Sequence, residues 1–206
     1  MSELMERAKQ QLRARMRGLR GAYPRPALAE ASRRIVESIV DRPEFARAGG
    51  VGLFWPLLER GEVDTRSLLA QALERGKRVY YPYMEPTRPD GFETGFRLTR
   101  SEAELADRGQ RFWEPQPDAP RASRQEIDLL VVPALAVAAN GHRLGYGSGF
   151  YDATLGDHRP PALAIVVAYE FQLLAELPAT EHDVACDLVI TEKRVIEVGG
   201  SAPAGL

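Results

Sequence analysis

The sequence predicts an α/β protein, a three-layer α/β/α fold with a mainly parallel central sheet. Short apolar runs alternate with amphipathic segments of helical period, the pattern of parallel strands joined by crossover helices. Residues 127–133 (IDLLVVP) are apolar but for Asp128 near the start, as a central strand covered on both faces requires. No internal repeat or linker divides the chain, so residues 1–198 are expected to form one domain.

Each element has its own warrant. Ser2 can cap a first helix in which Leu4, Ala8, Leu12, Met16 and Leu19 recur near helical spacing. Pro24 and Pro26 break it. Leu28, Ser32, Ile35, Val36, Ile39 and Val40 form a second stripe that ends before Pro43. Residues 50–55 read as a buried strand. Asp64 or Thr65 starts a helix running to about Glu74, which Gly76 stops. Residues 77–81 read as the next strand and 94–99 as an edge strand. Residues 107–124, rich in Pro and charge, read as loop. After the 127–133 strand come a glycine-rich loop and a short helix from about Phe150. Strands at 162–168, 187–191 and 195–198 follow, with a helical segment at 171–175. The tail 199–206 is expected to be disordered.

Composition narrows the function classes. The 206 residues are 44% hydrophobic and 27% charged, ordinary for a globular protein with a sizeable core. A net charge of −2 suggests neither a nucleic-acid nor a membrane partner. The single Cys186 excludes an intramolecular disulfide and fits a reducing cytoplasm, the expected location. No apolar run approaches the roughly 20 residues of a membrane span, and no signal-peptide core is present. A monomer acting on small molecules is expected.

The most informative string is Arg143-Leu144-Gly145-Tyr146-Gly147-Ser148-Gly149-Phe150-Tyr151-Asp152. Alternating glycines let a backbone turn sharply or approach a ligand closely. Such a loop can aim successive N–H groups at a phosphate. Arg143 offers a bidentate clamp, and Asp152 is a hard oxygen ligand of the kind Mg²⁺ accepts beside phosphates. The Gly-Lys-Ser/Thr ending of a P-loop is missing, and the third glycine is not where the dinucleotide fingerprint has it. G-x-G-x-G alone is a common turn. The full string, however, closely resembles the signature of the 5-formyltetrahydrofolate cyclo-ligases, also called methenyltetrahydrofolate synthetases.

That resemblance runs from about Lys9 to Thr191 and rests on several motifs in the family's order. Lys9 and Arg13, with Leu12 between them, match its N-terminal ATP-contacting pair. Taken alone they read as part of a solvated basic face, since Arg7, Arg15, Arg17 and Arg20 surround them. Gly61-Glu62-Val63-Asp64-Thr65 resembles the family's folate-contacting acidic element, with Glu62 as the reader. A carboxylate can accept paired hydrogen bonds from an aminopyrimidine. Asp64 or Thr65 serves as a helix cap on either reading. Phe54 and Trp55 could line the same pocket, Phe54 being the better candidate for core. Among Tyr80, Tyr81 and Tyr83, family position favours Tyr83 as the ring that stacks on a pterin, although a strand-end Tyr is commonly just half-buried. Trp113, in the loop before the central strand, could close over a ligand or anchor that loop. The resemblance assigns ATP to Lys9, Arg13 and residues 143–151, folate also to residues 146–150, and Mg²⁺ to Asp152 and Asp187. Lys9 and Arg143 would act on the phosphoryl group, and His182 and Asp183 would be structural. Ser148, Phe150 and Ala153 depart from the family's usual residues without removing a proposed charge.

The resemblance implies a NagB/RpiA/CoA-transferase-like fold. It also implies ATP- and Mg²⁺-dependent conversion of 5-formyltetrahydrofolate to 5,10-methenyltetrahydrofolate through a phosphorylated formyl group. A non-catalytic folate- or nucleotide-binding regulator is the alternative, but it has no need of a phosphate clamp. An isomerase or CoA transferase on a similar sheet would need a catalytic carboxylate in another loop. No Ser-His-Asp order or nucleophile elbow is present, and one Cys with one nearby His makes no zinc site.

Overall fold

The computed structural model describes residues 2–87, 91–109, 112–147, 149–180 and 183–199. The expected disordered tail from Gly200 onward lies outside the described residues. Five helices are described: α1 (Ser2–Ala22), α2 (Arg25–Val40), α3 (Pro43–Arg47), α4 (Arg66–Glu74) and α5 (Phe150–His158). A seven-stranded sheet contains β1 (Gly50–Gly52), β2 (Arg78–Thr87), β3 (Gly91–Leu98), β6 (Leu129–Pro133), β9 (Leu163–Val167), β11 (Leu188–Ile190) and β12 (Val195–Glu197). Their order is β12-β11-β9-β6-β1-β2-β3. The five inner strands run parallel, and β3 and β12 close the edges antiparallel. Two smaller sheets complete the fold: β10 (Leu173–Leu174), β7 (Ala136–Ala138) and β8 (Arg143–Leu144) in one, β4 (Ala106–Asp107) and β5 (Trp113–Glu114) in the other.

Side-chain alternation explains the layering. Leu129 and Val131 pack with Ile35, Ile39, Leu68 and Ala72 of α2 and α4 on one face. Leu130 and Val132 pack with Phe150 and Leu155 of α5, and with Val137 of β7, on the other. The second outer layer is therefore partly a small sheet rather than helices alone. Met16 of α1 packs with Leu135, Ala136 and Leu144, which seats α1 on that small sheet.

Local chemistry fixes the element ends. Pro24 precedes α2, whose first turn holds Pro26. Asp64 Oδ1 accepts the Arg66 N–H at the start of α4, and Gly76 follows that helix with φ of +71°. Strand β1 ends sooner than the predicted 50–55 strand. Strand β2 runs past the predicted 77–81 because its hairpin with β3 supplies ladder partners out to Thr87. The expected helix at 171–175 is instead a 3₁₀ turn at Glu170–Gln172 followed by β10. Gln172 Oε1 accepts the Tyr169 N–H, and Gln172 Nε2 donates to Leu135 O, tying the turn to the small sheet. No described helix is long and apolar enough to cross a membrane.

Candidate active site

The carboxyl end of β6 leads through the β7–β8 hairpin into the glycine loop, and α5 starts where the loop ends. Ligands of open α/β sheets collect at this edge. Gly147 and Gly149 adopt φ of +105° and +70°, which side chains rarely do, and Gly149 is the residue from which α5 springs. The loop forms one wall of a cavity of about 940 Å³. Helix α1 forms a second wall, residues 54–62 a third, and Pro82, Met84, Phe92 and Phe112 a fourth.

One side of the cavity is cationic. Lys9, Arg13 and Arg17 line it from α1, spaced so that one helix face carries all three. Lys9 is almost wholly buried, and its ammonium sits 2.7 Å from Asp183 Oδ2. Burial raises the Asp183 pKa, but the Lys9 ammonium and the Thr180 N–H outweigh it, so the carboxyl is held below its usual range. Arg13 donates from Nε to the carbonyl of Gly145 at 3.1 Å and from Nη1 to Glu6. Its guanidinium thus lies along the glycine loop.

Arg143 sits deeper. Its side chain is only 3% exposed. Nη2 donates to Asp152 Oδ1 at 2.8 Å, and Nη1 donates to the Val184 carbonyl. Arg143 therefore braces the first turn of α5 against the 184 segment while also lining the cavity. Asp152 also accepts the Val184 N–H, yet its side chain stays 35% exposed at the cavity wall.

The opposite side is aromatic and acidic. Phe54 and Trp55 both line the cavity, so Phe54 is not confined to the core. Phe150, its ring tilted against that of Phe112 with centroids 5.8 Å apart, and Tyr151 complete it. Glu62 lies within, buried, with Oε2 accepting the Leu57 N–H at 2.9 Å. Desolvation pushes its pKa up, countered by that N–H, by the Tyr146 hydroxyl and by nearby Arg20 and Arg60.

Three predicted residues stand elsewhere. Asp187 does not line the cavity: its carboxylate pairs with Arg159 and accepts the Ala164 N–H, at the far end of α5 from Asp152. The carboxylate that joins Asp152 and Glu62 at the cavity is instead Asp183, expected from the resemblance to be structural. Tyr83 points away, its ring under Arg97 and Arg121 at 4.2 and 5.2 Å, while its neighbours Pro82 and Met84 face the cavity. Alternation along β2 dictates that split. Trp113 anchors its loop by stacking on Trp55 at 5.8 Å, behind the cavity wall. Ser148 and His182 lie outside the described residues. Sequence reasoning missed Arg17, Arg60, Met84 and Phe112 as cavity residues. For Arg17 a signal existed, since it continues the Lys9–Arg13 spacing.

The family model of the 5-formyltetrahydrofolate cyclo-ligase family matches residues 5–192. The 5-formyltetrahydrofolate cyclo-ligase of Mycolicibacterium smegmatis is 48% identical over 82 residues, which are 40% of this chain and 42% of that protein. The enzyme of the same name from Escherichia coli K12 is 33% identical over 142 residues, 66% of this chain and 75% of that one. Among solved structures, Aquifex aeolicus 5,10-methenyltetrahydrofolate synthetase superposes with a TM-score of 0.81 at 27% identity, covering 96% of both chains. The synthetase of Mycoplasma pneumoniae shares the fold, with a TM-score of 0.68 at 20% identity. With a family match over nearly its whole length and this fold beneath it, the chain belongs to the 5-formyltetrahydrofolate cyclo-ligase family of enzymes.

Proposed function

We propose that this chain converts 5-formyltetrahydrofolate to 5,10-methenyltetrahydrofolate at the cost of one ATP, releasing ADP and phosphate. The observation that supports this best is the division of one cavity into a cationic, glycine-lined side and an aromatic side holding a buried carboxylate. The first suits a triphosphate and the second a pterin-like ring.

A formamide oxygen is a poor leaving group. In the proposed sequence it attacks the γ-phosphorus, the bond to the ADP oxygen breaks, and an iminium phosphate forms. N10 of the folate then attacks the former formyl carbon, the C–O bond breaks, phosphate leaves, and the N10 proton passes to solvent or phosphate. Such transfers require positioning and charge neutralisation more than protein nucleophiles. Lys9 and Arg13 present charge to the phosphates, and the loop orients them. Arg143 fixes the loop and Asp152 in place. Glu62 accepts the ring's N–H groups and sets its angle, while Trp55 and Phe150 exclude water from it.

The described residues include no group of three or more His, Cys, Asp or Glu side chains suited to hold a metal by themselves. Mg²⁺ takes few protein ligands when it rides on nucleotide phosphates, and Asp152, a hard donor at the cavity wall, fits that need. When bound, Mg²⁺ neutralises charge developing on the phosphates. The test is absorbance of methenyl-folate formed from 5-formyltetrahydrofolate, with and without ATP and after chelation. Product that forms unchanged without nucleotide would refute the reading.

A further inference from the structure

Arg20, on α1, is 2% exposed and serves no role in the chemistry so far. Its Nη1 donates to the Tyr146 hydroxyl at 2.8 Å, and its guanidinium carbon lies 5.5 Å from the Tyr146 ring centre. The Tyr146 hydroxyl interacts in turn with the Glu62 carboxylate and favours its ionised form. Arg20 Nε is buried with no partner. A Cβ placed on Gly61 would lie 3.3 Å from Arg20 Cγ, so the arginine stem packs directly on the turn that presents Glu62. Three separate segments thus meet: the helix carrying Lys9 and Arg13, the glycine loop, and the 57–62 turn.

We propose that Arg20 is a positioning residue that acts through Tyr146 to hold Glu62 ionised and oriented for the folate ring. The proposal rests on the folate reading of the cavity. A guanidinium cannot deprotonate, so its charge is permanent. A buried carboxylate without a cationic partner takes up a proton instead. A protonated Glu62 offers one acceptor where a 2-amino-4-oxopyrimidine presents adjacent N–H donors, so it could no longer bind both. The groups facing Glu62 are Arg20 from α1, Tyr146 from the glycine loop, Tyr151 from α5, and Arg60 and the Leu57 N–H from its own turn. Of the two arginines, Arg60 is nearly half exposed and partly screened by solvent, while Arg20 is buried. Arg20 is therefore the charge that counts.

The experiment measures binding of 5-formyltetrahydrofolate to the intact chain without ATP, by quenching of tryptophan fluorescence, from pH 4 to 8. The ligand's own carboxylates titrate alike in every variant, so the displacement between variants is the readout. In Arg20→Met the pH midpoint below which binding is lost should rise by about one unit, a loss of affinity that grows from about twofold at the new midpoint to roughly tenfold well below both midpoints. Tyr146→Phe, a smaller change, should move it the same way, and Arg20→Lys should restore it. The effects of Arg20→Met and Tyr146→Phe should not add, because they act in series. An unmoved midpoint in both Arg20→Met and Tyr146→Phe would overturn the proposal, even if affinity fell. Failure of the unaltered chain to bind 5-formyltetrahydrofolate at any pH would overturn the folate reading itself.

Discussion

Replacing Glu62 by Gln separates recognition from stability more cleanly than any other change in the cavity. Gln has nearly the same volume and keeps one oxygen for the Leu57 N–H, which Glu62 Oε2 now accepts at 2.9 Å. The second oxygen becomes an NH₂ donor. Against a ring edge that itself donates, two donors are opposed. An unmatched buried pair costs about 1–3 kcal/mol, which is roughly a 5- to 150-fold loss of folate affinity. The cationic side of the cavity is untouched, so ATP affinity should hold within about twofold.

Stability should move the other way. Burial raises the Glu62 pKa above its unfolded value of 4.5. The folded state therefore binds this proton more tightly than the unfolded state does. The contribution of Glu62 is fully present below about pH 4.5 and is lost as pH rises through the folded pKa. The Gln variant carries no charge and escapes that loss. Its unliganded Tm should match the parent at acid pH and exceed it at neutral pH, where about 1 kcal/mol corresponds to roughly 2–4 °C in a chain of this size. Calorimetric titration of each ligand, beside unliganded melting curves from pH 4 to 8, tests both halves. Equal loss of both ligands with a lowered Tm at all pH values would refute the reasoning and make Glu62 a structural residue of its turn.

Arg143→Ala strands the Val184 carbonyl and the Asp152 carboxylate. It should cost about 2–3 kcal/mol in denaturant unfolding, less than a fully buried pair because Asp152 is one-third exposed; unchanged stability would return Arg143 to a free phosphate-clamp role. Asp152→Asn keeps an acceptor for Arg143 but loses the charge, so the Mg²⁺ requirement for activity should rise with little change in Tm; an unshifted requirement removes Asp152 as a ligand. Asp183→Asn releases Lys9, so ATP should bind several-fold more tightly by titration, and weaker binding would place Asp183 itself among the nucleotide's contacts. The same change should lower stability near neutral pH. The depressed Asp183 pKa makes its contribution present above about 3.8 and lost as pH falls, so the two melting curves should converge in acid.

The legibility of the chain follows physical range. The 127–133 run was readable because both faces of a central strand must be apolar, and Leu129 to Val132 do divide between two cores. The glycine loop was readable because positive φ at Gly147 and Gly149 is a local demand. Residues whose role depends on partners far along the chain were not. Asp183 and Asp187 lie four apart in one short segment, yet Lys9 takes the first and Arg159 the second. Nothing within the segment encodes that choice. Tyr83 was misplaced because β2 continues as a hairpin past the predicted strand, and the continued alternation turns Pro82 and Met84 inward instead. Phe171 looked helical, but Gln172 finds its partners on β7's flank, and that bonding selects a tight turn and a short strand.

The cavity's charges divide by how firmly they are held, and the division assigns their roles. A buried charge must be paired, yet a site for phosphates must offer cations that can change partner. Arg143 is 3% exposed and bound to both a carboxylate and a carbonyl, so an entering anion can displace neither without leaving buried groups unmatched. Arg20 is buried too, and its Nη1 donates to the Tyr146 hydroxyl. Lys9 and Arg13 differ, because their carboxylate partners Asp183 and Glu6 remain 17% and 53% exposed and can turn toward water once a phosphate takes their place. Of these four cations, Lys9 and Arg13 are thus exchangeable, whereas Arg143 and Arg20, which stands behind the cavity lining, are framework. Loss of a framework arginine should register first in folding and in the pH profile, whereas loss of Lys9 or Arg13 should register in nucleotide affinity and its salt dependence. Both exchangeable cations project from α1, so the cationic side of the cavity depends on a helix that is itself held in place by Met16 against the small sheet and by Arg20 against Tyr146.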